Sequence, residues 1–215
     1  MTIDTADTLG AVLAGGQSRR LGRDKANVEL EGRSLLGRAL ATLREVFDQV
    51  VLVSPPRDYG PRVDVDFVHD EVPGLGPLAG IMAALRHAAG SPVFVLACDL
   101  PFVSADLIRY LNRSSRIGVA TTDLESDVVA SIPCLGGRLQ PLCGLYGPRC
   151  LPYIEGSLGR GELGVREMLM KIPTEFLQLD PSLPFVHEDL FLNINRPGDL
   201  RRAEARLARP MDSAL

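Results

Sequence analysis

Strand-like apolar runs alternate with helix-like segments through the first half of the chain, and this order limits the fold more than any other feature. The runs Leu9–Leu13, Val50–Val53 and Pro92–Ala97 are continuously apolar, as are strands that are buried on both faces. Between them, apolar residues recur at helical spacing after Ser34 and again over Leu78–Ala88. The alternation predicts an α/β fold whose parallel sheet is covered by helices on both faces.

The second half of the chain is less regular. Strands are predicted at Val128–Ile132, Leu142–Tyr146 and Glu175–Leu179, and helices at Arg149–Glu155, Val165–Lys171 and Pro197–Ala208. The three glycines of Ser157–Gly164 indicate a mobile loop. Because no linker or change in composition divides the chain, we expect one domain over residues 9–209, with flexible tails at residues 1–8 and 210–215.

Composition and charge exclude several classes of protein. The net charge of −4 gives no reason to expect nucleic acid or an anionic membrane as a partner. No apolar run approaches the roughly 20 residues of a membrane helix, and the polar start Met1–Thr8 is unlike a secretory signal, so a cytoplasmic location is expected. Four cysteines without metal-site spacing are interpreted as buried apolar residues.

The segment Leu13–Lys25 combines glycines and basic residues directly after the first apolar run. Glycines let the backbone approach a bulky anion and turn its N–H groups toward phosphate oxygens. Arginine and lysine side chains in the same loop would neutralise a polyphosphate. The spacing fits neither a Walker A loop nor the dinucleotide fingerprint. The segment therefore predicts a triphosphate-binding loop, the alternative being a glycine-rich turn with surface arginines.

Other candidate residues follow predicted strands or begin predicted helices. Ligands bind beyond the carboxyl ends of parallel strands, and Asp99 follows such a strand, where its carboxylate would suit Mg²⁺. Asp70 is a second candidate, with a turn residue as the alternative. Gly76–Gly80 opens a helix with small residues that permit close approach to a ring, to backbone or to the sheet. Asn193 and Asn195 could present two amides to one ligand or act as turn residues.

Taken together, these segments resemble the molybdenum cofactor guanylyltransferase family. The motifs that carry the resemblance run in order along nearly the whole chain: Leu13-Ala14-Gly15-Gly16-x-Ser18-x-Arg20-Leu21-Gly22-x-Asp24-Lys25, Gly76-Pro77-Leu78-Ala79-Gly80, Cys98-Asp99-Leu100-Pro101, Pro141-Leu142-x-Gly144-Leu145-Tyr146 and Asn193-Ile194-Asn195-x-Pro197-x-Asp199-Leu200. The resemblance implies a three-layer α/β sandwich with a mostly parallel sheet, in the Rossmann-like fold of the nucleotide-diphospho-sugar transferases.

The resemblance also implies a reaction and its site. GMP would pass from GTP to the terminal phosphate of molybdopterin, or of its molybdenum form, with release of pyrophosphate. Lys25 and Asp99 would be catalytic, and Asp99 would hold the Mg²⁺ cofactor. The residues expected to bind the substrates are Leu13, Ala14, Gly15, Gly16, Arg20, Lys25, Ser54, Asp70, Gly80, Asp99, Asn193 and Asn195. Molybdoenzyme chaperones are a further expected class of partner.

Two alternatives stay open at this point. One is a sister enzyme with another base or acceptor, either a molybdopterin cytidylyltransferase or a sugar-phosphate nucleotidyltransferase. The other is a non-catalytic protein that binds the nucleotide or molybdopterin.

One departure from the family pattern also carries a prediction. Arg196 stands where the family usually has threonine, and since arginine offers no side-chain acceptor, the final helix should fray, at a cost of about 1 kcal/mol.

Overall fold

The computed structural model describes residues 5–15, 25–55, 64–69, 74–117 and 127–208. Its strands are β1 (Leu9–Leu13), β2 (Glu29–Leu30), β3 (Arg33–Ser34), β4 (Gln49–Ser54), β5 (Asp66–His69), β6 (Val93–Ala97), β7 (Ala130–Leu135), β8 (Arg138–Leu139), β9 (Cys143–Tyr146) and β10 (Thr174–Gln178). Its α-helices are α1 (Leu35–Arg44), α2 (Pro77–His87), α3 (Ala105–Ser114), α4 (Leu151–Gly159), α5 (Val165–Leu169) and α6 (Pro197–Leu207).

The main sheet has the order β10-β7-β9-β6-β1-β4-β5, with β8 paired to β7. The pairs of β1 with β4, β1 with β6, β4 with β5 and β7 with β10 are parallel. Of the strands in the described part of the chain, only β9 and β8 run against their neighbours in this sheet. The mostly parallel sheet is therefore confirmed, and β1 lies near its centre, flanked by the other two continuously apolar strands.

Helices cover both faces of this sheet, which confirms the three-layer α/β architecture. Alternate residues of one strand reach opposite layers, as a two-residue side-chain period requires. In β1, Val12 packs with α1 and α3 on one face, whereas Ala11 and Leu13 pack with α2, α4 and α5 on the other. Burial on both faces explains why β1, β4 and β6 read as continuous apolar runs rather than alternating ones.

Hydroxyl caps fix where two of the covering helices begin. Ser34 Oγ accepts a hydrogen bond from the Gly37 N–H at 3.0 Å at the start of α1. Ser104 Oγ accepts one from the Leu107 N–H at 3.3 Å at the start of α3. Each cap satisfies a backbone donor that the first helical turn leaves without a partner. The Ser34 cap confirms the helix predicted after that residue.

Some local features of the structure differ from those expected from the sequence. Helix α4 continues through Gly159, so the loop predicted from Ser157 begins only after that residue. Residues 192–195 lie just before α6 without forming a strand, since the Ile194 N–H donates to the Asp99 carbonyl instead of to a sheet neighbour. Within the predicted N-terminal tail, Thr5–Asp7 form a 3₁₀ turn and Thr8 is buried. The flexibility expected of both tails stays a prediction.

Candidate active site

The predicted nucleotide loop leaves the sheet where three parallel strands end side by side. Leu13 of β1 is in register with Val53 of β4 and Ala97 of β6. Beyond this row, the Ala14 N–H donates to the Val53 carbonyl at 3.0 Å, and the Cys98 N–H donates to the Leu13 carbonyl at 3.1 Å. These bonds hold the first residues after each strand at one carboxyl edge of the sheet, which is where α/β proteins bind ligands.

Within the predicted loop, Gly15 is the last described residue before residue 25. Gly15 is exposed, and a Cβ placed on it would meet only Pro55 Cδ, at 3.9 Å. Gly16, Arg20 and the rest of the loop to residue 24 lie outside the described residues. The backbone is described again from Lys25, which begins a 3₁₀ turn, Lys25–Asn27. Burial of Ala26 beside α1 anchors the returning end of the loop.

Ser54 lies at the same edge, at the end of β4. Its side chain is buried, and its hydroxyl donates to the Pro55 carbonyl at 2.9 Å. Because the hydrogen is used locally, the Ser54 hydroxyl could offer a ligand only its oxygen lone pairs. Ser54 pairs with His69, the last residue of β5. Asp70, the next residue and a predicted site residue, lies outside the described residues.

Gly80 brings α2 close to the ends of β1 and β4. A Cβ on Gly80 would lie 3.4 Å from Leu13 Cδ2 and 3.6 Å from Val53 Cγ1, so its bare face is turned toward the sheet. The sequence left open whether Gly80 allows close approach to a ring, to backbone or to the sheet. The contacts with Leu13 and Val53 support close packing of the helix on the sheet. Helix α2 begins at Pro77 after Gly76, whose φ of 72° and ψ of −164° belong to a region that essentially only glycine occupies.

Asp99 lies in the turn after β6 and is partly exposed at the carboxyl edge. Its backbone carbonyl accepts a hydrogen bond from the Ile194 N–H at 3.0 Å. This one bond joins the predicted metal ligand to the segment predicted to face the second substrate, although the two are far apart in sequence. Among the described residues, no cluster of three or more His, Cys, Asp or Glu side chains forms a metal cage.

Asn193 and Asn195 flank a buried anchor. Ile194 is fully buried against Val28, Leu30 and Ala203, whereas both asparagines are exposed. Burying the middle residue and exposing its neighbours places both amides on the outside of the same short segment, beside Asp99. Phe102, just past the Asp99 turn, packs against the same cluster. The backbone of the segment that carries both asparagines thus lies against the Asp99 turn, and the roles of the three side chains stay predictions.

The start of α6 corrects the fraying predicted from Arg196. The Asp199 carboxylate accepts the Asn195 N–H at 2.9 Å and the Arg196 N–H at 2.8 Å through the same oxygen. A carboxylate in the first turn also interacts favourably with the helix dipole. Asp199 therefore stabilises the entry to α6 from inside the helix, although Arg196 supplies no accepting oxygen.

Replacing Asp199 by alanine should lower the free energy of unfolding by about 1 kcal/mol, because two backbone N–H groups lose their acceptor. Urea denaturation would measure this change. Arg201→Ala, an exposed site in the same helix, is the control and should stay within about 0.5 kcal/mol of the parent. Equal stability of Asp199→Ala and the parent would contradict the capping role.

No sequence pattern points to His187, yet it lies near this region. Its ring meets that of Phe102 edge-on, with 6.0 Å between centroids. Burial lowers the pKa of His187, and the positive charge of Arg206 lowers it further. The imidazole is therefore held in its neutral form beside the Asp99 turn at neutral pH.

The cysteines behave as the sequence predicts. All four are buried, and Cys98 packs into the core beside Asp99. Burial raises the pKa of Cys150 to about 12 and that of Cys143 further still. A thiol so strongly protonated is a poor nucleophile.

None of the helices among the described residues is long and apolar enough to cross a membrane.

Comparison with known proteins shows what the chain is similar to. The MobA-like NTP transferase domain matches residues 10–175. A probable molybdenum cofactor guanylyltransferase of Pelotomaculum thermopropionicum is 34% identical over 195 residues, covering 90% of each chain. The crystal structure of molybdopterin-guanine dinucleotide biosynthesis protein A from Archaeoglobus fulgidus has a TM-score of 0.75 and 29% identity, covering 93% of this chain and 98% of that one.

A more distant relative shows the fold alone. The 2-C-methyl-D-erythritol 4-phosphate cytidylyltransferase of Thermus thermophilus has a TM-score of 0.61 at 18% identity, covering 96% of this chain and 98% of that one. The similarity confirms the predicted nucleotide-diphospho-sugar transferase fold. It also shows that the same architecture occurs in an enzyme named for another base.

Proposed function

The chain belongs to the MobA-like NTP transferase family, and we propose that it transfers GMP from GTP to the terminal phosphate of molybdopterin or its molybdenum form. The products would be the guanine dinucleotide cofactor and pyrophosphate. The observation that carries this proposal is the hydrogen bond from the Ile194 N–H to the Asp99 carbonyl. Through it, the residue suited to Mg²⁺ lies beside the two asparagines that would face the acceptor, at the edge where the nucleotide loop leaves β1.

The proposed reaction exchanges one phosphoanhydride for another. An oxygen of the acceptor phosphate forms a bond to the α-phosphorus of GTP, and the bond from that phosphorus to the bridging oxygen of pyrophosphate breaks. The acceptor phosphate is already ionised at neutral pH, so the chain needs no general base to activate it. The work left to the protein is to align the two substrates and to stabilise the developing negative charge.

Mg²⁺ fits the oxygen chemistry of this edge. Asp99 offers a carboxylate that is partly exposed, and Mg²⁺ is commonly held by one or two carboxylates together with substrate phosphates. When bound, the ion would polarise phosphate oxygens and orient the reacting groups. We propose that Asp99 holds it and that Asp70 supplies a further contact near the nucleotide.

Lys25 would hold the triphosphate at the returning end of the loop. Replacing it by alanine is expected to weaken GTP binding about tenfold or more, because a charge-assisted hydrogen bond to phosphate is lost. Titration calorimetry with GTP and Mg²⁺ would measure the change. Lys171→Ala is the control, since Lys171 lies between α5 and the start of β10, away from this edge, and pairs there with Glu162 at 3.1 Å. Unchanged affinity in Lys25→Ala would contradict the loop assignment.

The rival readings differ in substrate or in chemistry. A sister enzyme would use the same fold and metal with CTP or with a sugar phosphate, as the cytidylyltransferase likeness illustrates. A non-catalytic binding protein would bind nucleotide or molybdopterin and release nothing. The names of the relatives at 30% identity and above favour the guanylyl reaction.

Pyrophosphate release tests these readings together. The protein would be supplied with Mg²⁺, molybdopterin and, in separate assays, GTP, CTP, ATP or UTP. Release with GTP that depends on molybdopterin is the expected result. Preference for CTP would overturn the guanylyl assignment but keep the mechanism, and no release with any nucleotide would favour a binding protein.

A cytoplasmic site of action and delivery of the product to molybdoenzyme chaperones belong to the same proposal.

A further inference from the structure

An ion pair between a buried carboxylate and a largely exposed arginine ties the final helix to the loop that precedes Asn193. Asp189 Oδ1 lies 2.5 Å from Arg202 Nη2 of α6. The Asp189 side chain is only 4% exposed, whereas that of Arg202 is 56% exposed. The contact falls outside the angles of a good hydrogen bond, so it acts chiefly as an ion pair. A carboxylate removed from water in this way depends strongly on its cation.

A short series of hydrogen bonds and packing contacts connects this pair to Asp99, the candidate metal ligand. The Asp189 carbonyl accepts the Leu192 N–H at 2.9 Å, which closes a turn immediately before Asn193. The next anchor is Ile194, buried against Ala203 of α6, with its N–H on the Asp99 carbonyl. The segment that carries Asn193 and Asn195 is therefore held between α6 and the Asp99 turn.

The two ends of the segment are fixed by different contacts. At its far end, Asp199 accepts the N–H groups of Asn195 and Arg196, which fixes where the segment enters α6. At its near end, the Asp189–Arg202 pair is the charged contact to the same helix. If the near end loosens, Asn193 can shift relative to Asp99 even while α6 stays folded.

We propose that Asp189 and Arg202 are positioning residues that hold the Asn193–Asn195 segment in register with Asp99 and so align the acceptor phosphate with the nucleotide. The role of the asparagines rests on the proposed function, but the positioning itself does not. A misplacement of about 1 Å at a reacting centre can cost roughly a hundredfold in rate. Because Arg202 lies on α6 rather than in the nucleotide loop, its loss should spare GTP binding.

Amide hydrogen exchange tests the positioning without any substrate. In Arg202→Met, exchange of the Ile194 amide should accelerate about tenfold or more, because local opening of the segment becomes easier. The Gly147 amide, bonded to the Val129 carbonyl at 2.8 Å in another part of the sheet, is the internal reference and should change less than about twofold. Equal acceleration at both amides would mean general destabilisation and would overturn the proposal.

Matched variants separate positioning from a loss of charge. Arg86→Met is the control for the loss of a charge, because Arg86 of α2 forms an exposed ion pair with Glu155 of α4 at 3.0 Å. Like the Asp189–Arg202 pair, it joins two elements, but its loss should leave Ile194 exchange unchanged. Arg202→Lys keeps the cation and should restore most of the protection. In the background of Asp189→Asn, Arg202→Met should add little, since residues that act through one contact are not additive. Independent, multiplying effects of the two substitutions would overturn the pairing.

Kinetics then test the consequence for the reaction. In Arg202→Met, kcat/KM for the molybdopterin substrate should fall about tenfold or more, while the Kd for GTP stays within about twofold of the parent. A fall in GTP affinity of the same size would overturn the assignment to the acceptor side. Failure of the parent to release pyrophosphate would instead count against the proposed function, leaving the exchange result as the test of positioning.

Discussion

Asp99→Ala should lower the rate of pyrophosphate release from GTP by about a thousandfold or more while leaving a folded protein. The loss is large because the proposed metal ligand would act on charge that develops in the transition state, where electrostatic stabilisation counts most. The fold should survive because the hydrogen bond between this turn and the C-terminal segment uses the Asp99 carbonyl, not its carboxylate. Alanine keeps that carbonyl in place.

Controls separate the lost carboxylate from a damaged fold. Asp106→Ala removes a carboxylate that is exposed in the first turn of α3 and pairs with Arg109 at 3.1 Å; its turnover should stay within about twofold of the parent. Thermal unfolding of Asp99→Ala should be as cooperative as that of the parent. The parent rate should also depend on Mg²⁺ concentration. Near-normal turnover of Asp99→Ala at saturating Mg²⁺ would contradict the metal assignment.

The central strands could be predicted because burial on both faces leaves a simple pattern. β1, β4 and β6 appear as continuous apolar runs, and the structure moves their bounds by only a residue or so. The hairpin of β2 and β3, and the short β8, are only two residues long in each strand. Two residues cannot display a period, so no reading of hydrophobic spacing could have found them.

The candidate site likewise combines features that the local sequence predicts with contacts that depend on long-range packing. Leu13 ends β1, whereas Ala14 and Asp99 follow β1 and β6. The rule that ligands bind beyond the carboxyl ends of parallel strands was enough to place them together. That Ile194 would donate to the Asp99 carbonyl depends on the packing of α6 against β2, which no local pattern encodes. The same holds for the Asp189–Arg202 pair, and for Asp199, whose two bonds offset the missing cap at Arg196.

Gly144 belongs to one of the motifs that carry the family resemblance, and packing in the sheet explains why a glycine is needed there. It lies in β9, which pairs with β6 on one side and β7 on the other. A Cβ on Gly144 would come within 2.8 Å of Ile132 Cδ1 and 2.9 Å of the Ser131 carbonyl oxygen. The isoleucine side chain could rotate away, but the carbonyl belongs to a sheet strand. The Ser131 hydroxyl is also tied to Ser115 at 2.8 Å and Glu175 at 2.9 Å, so this backbone has little freedom to move.

Gly144→Ala should therefore lower the free energy of unfolding by about 3 kcal/mol, at the upper end of what overpacking costs. For a chain of this size that corresponds to a fall in Tm of roughly 6–12 °C, measurable by calorimetry. Gly156→Ala, in helix α4, is the matched substitution, because its Cβ would meet only the flexible end of Arg160, at 3.3 Å. There alanine should stabilise the protein by about 0.5–1 kcal/mol through helix propensity. The same chemical change would then have opposite signs at the two sites, and a neutral Gly144→Ala would show that β7 and β9 can separate more readily than their contacts indicate.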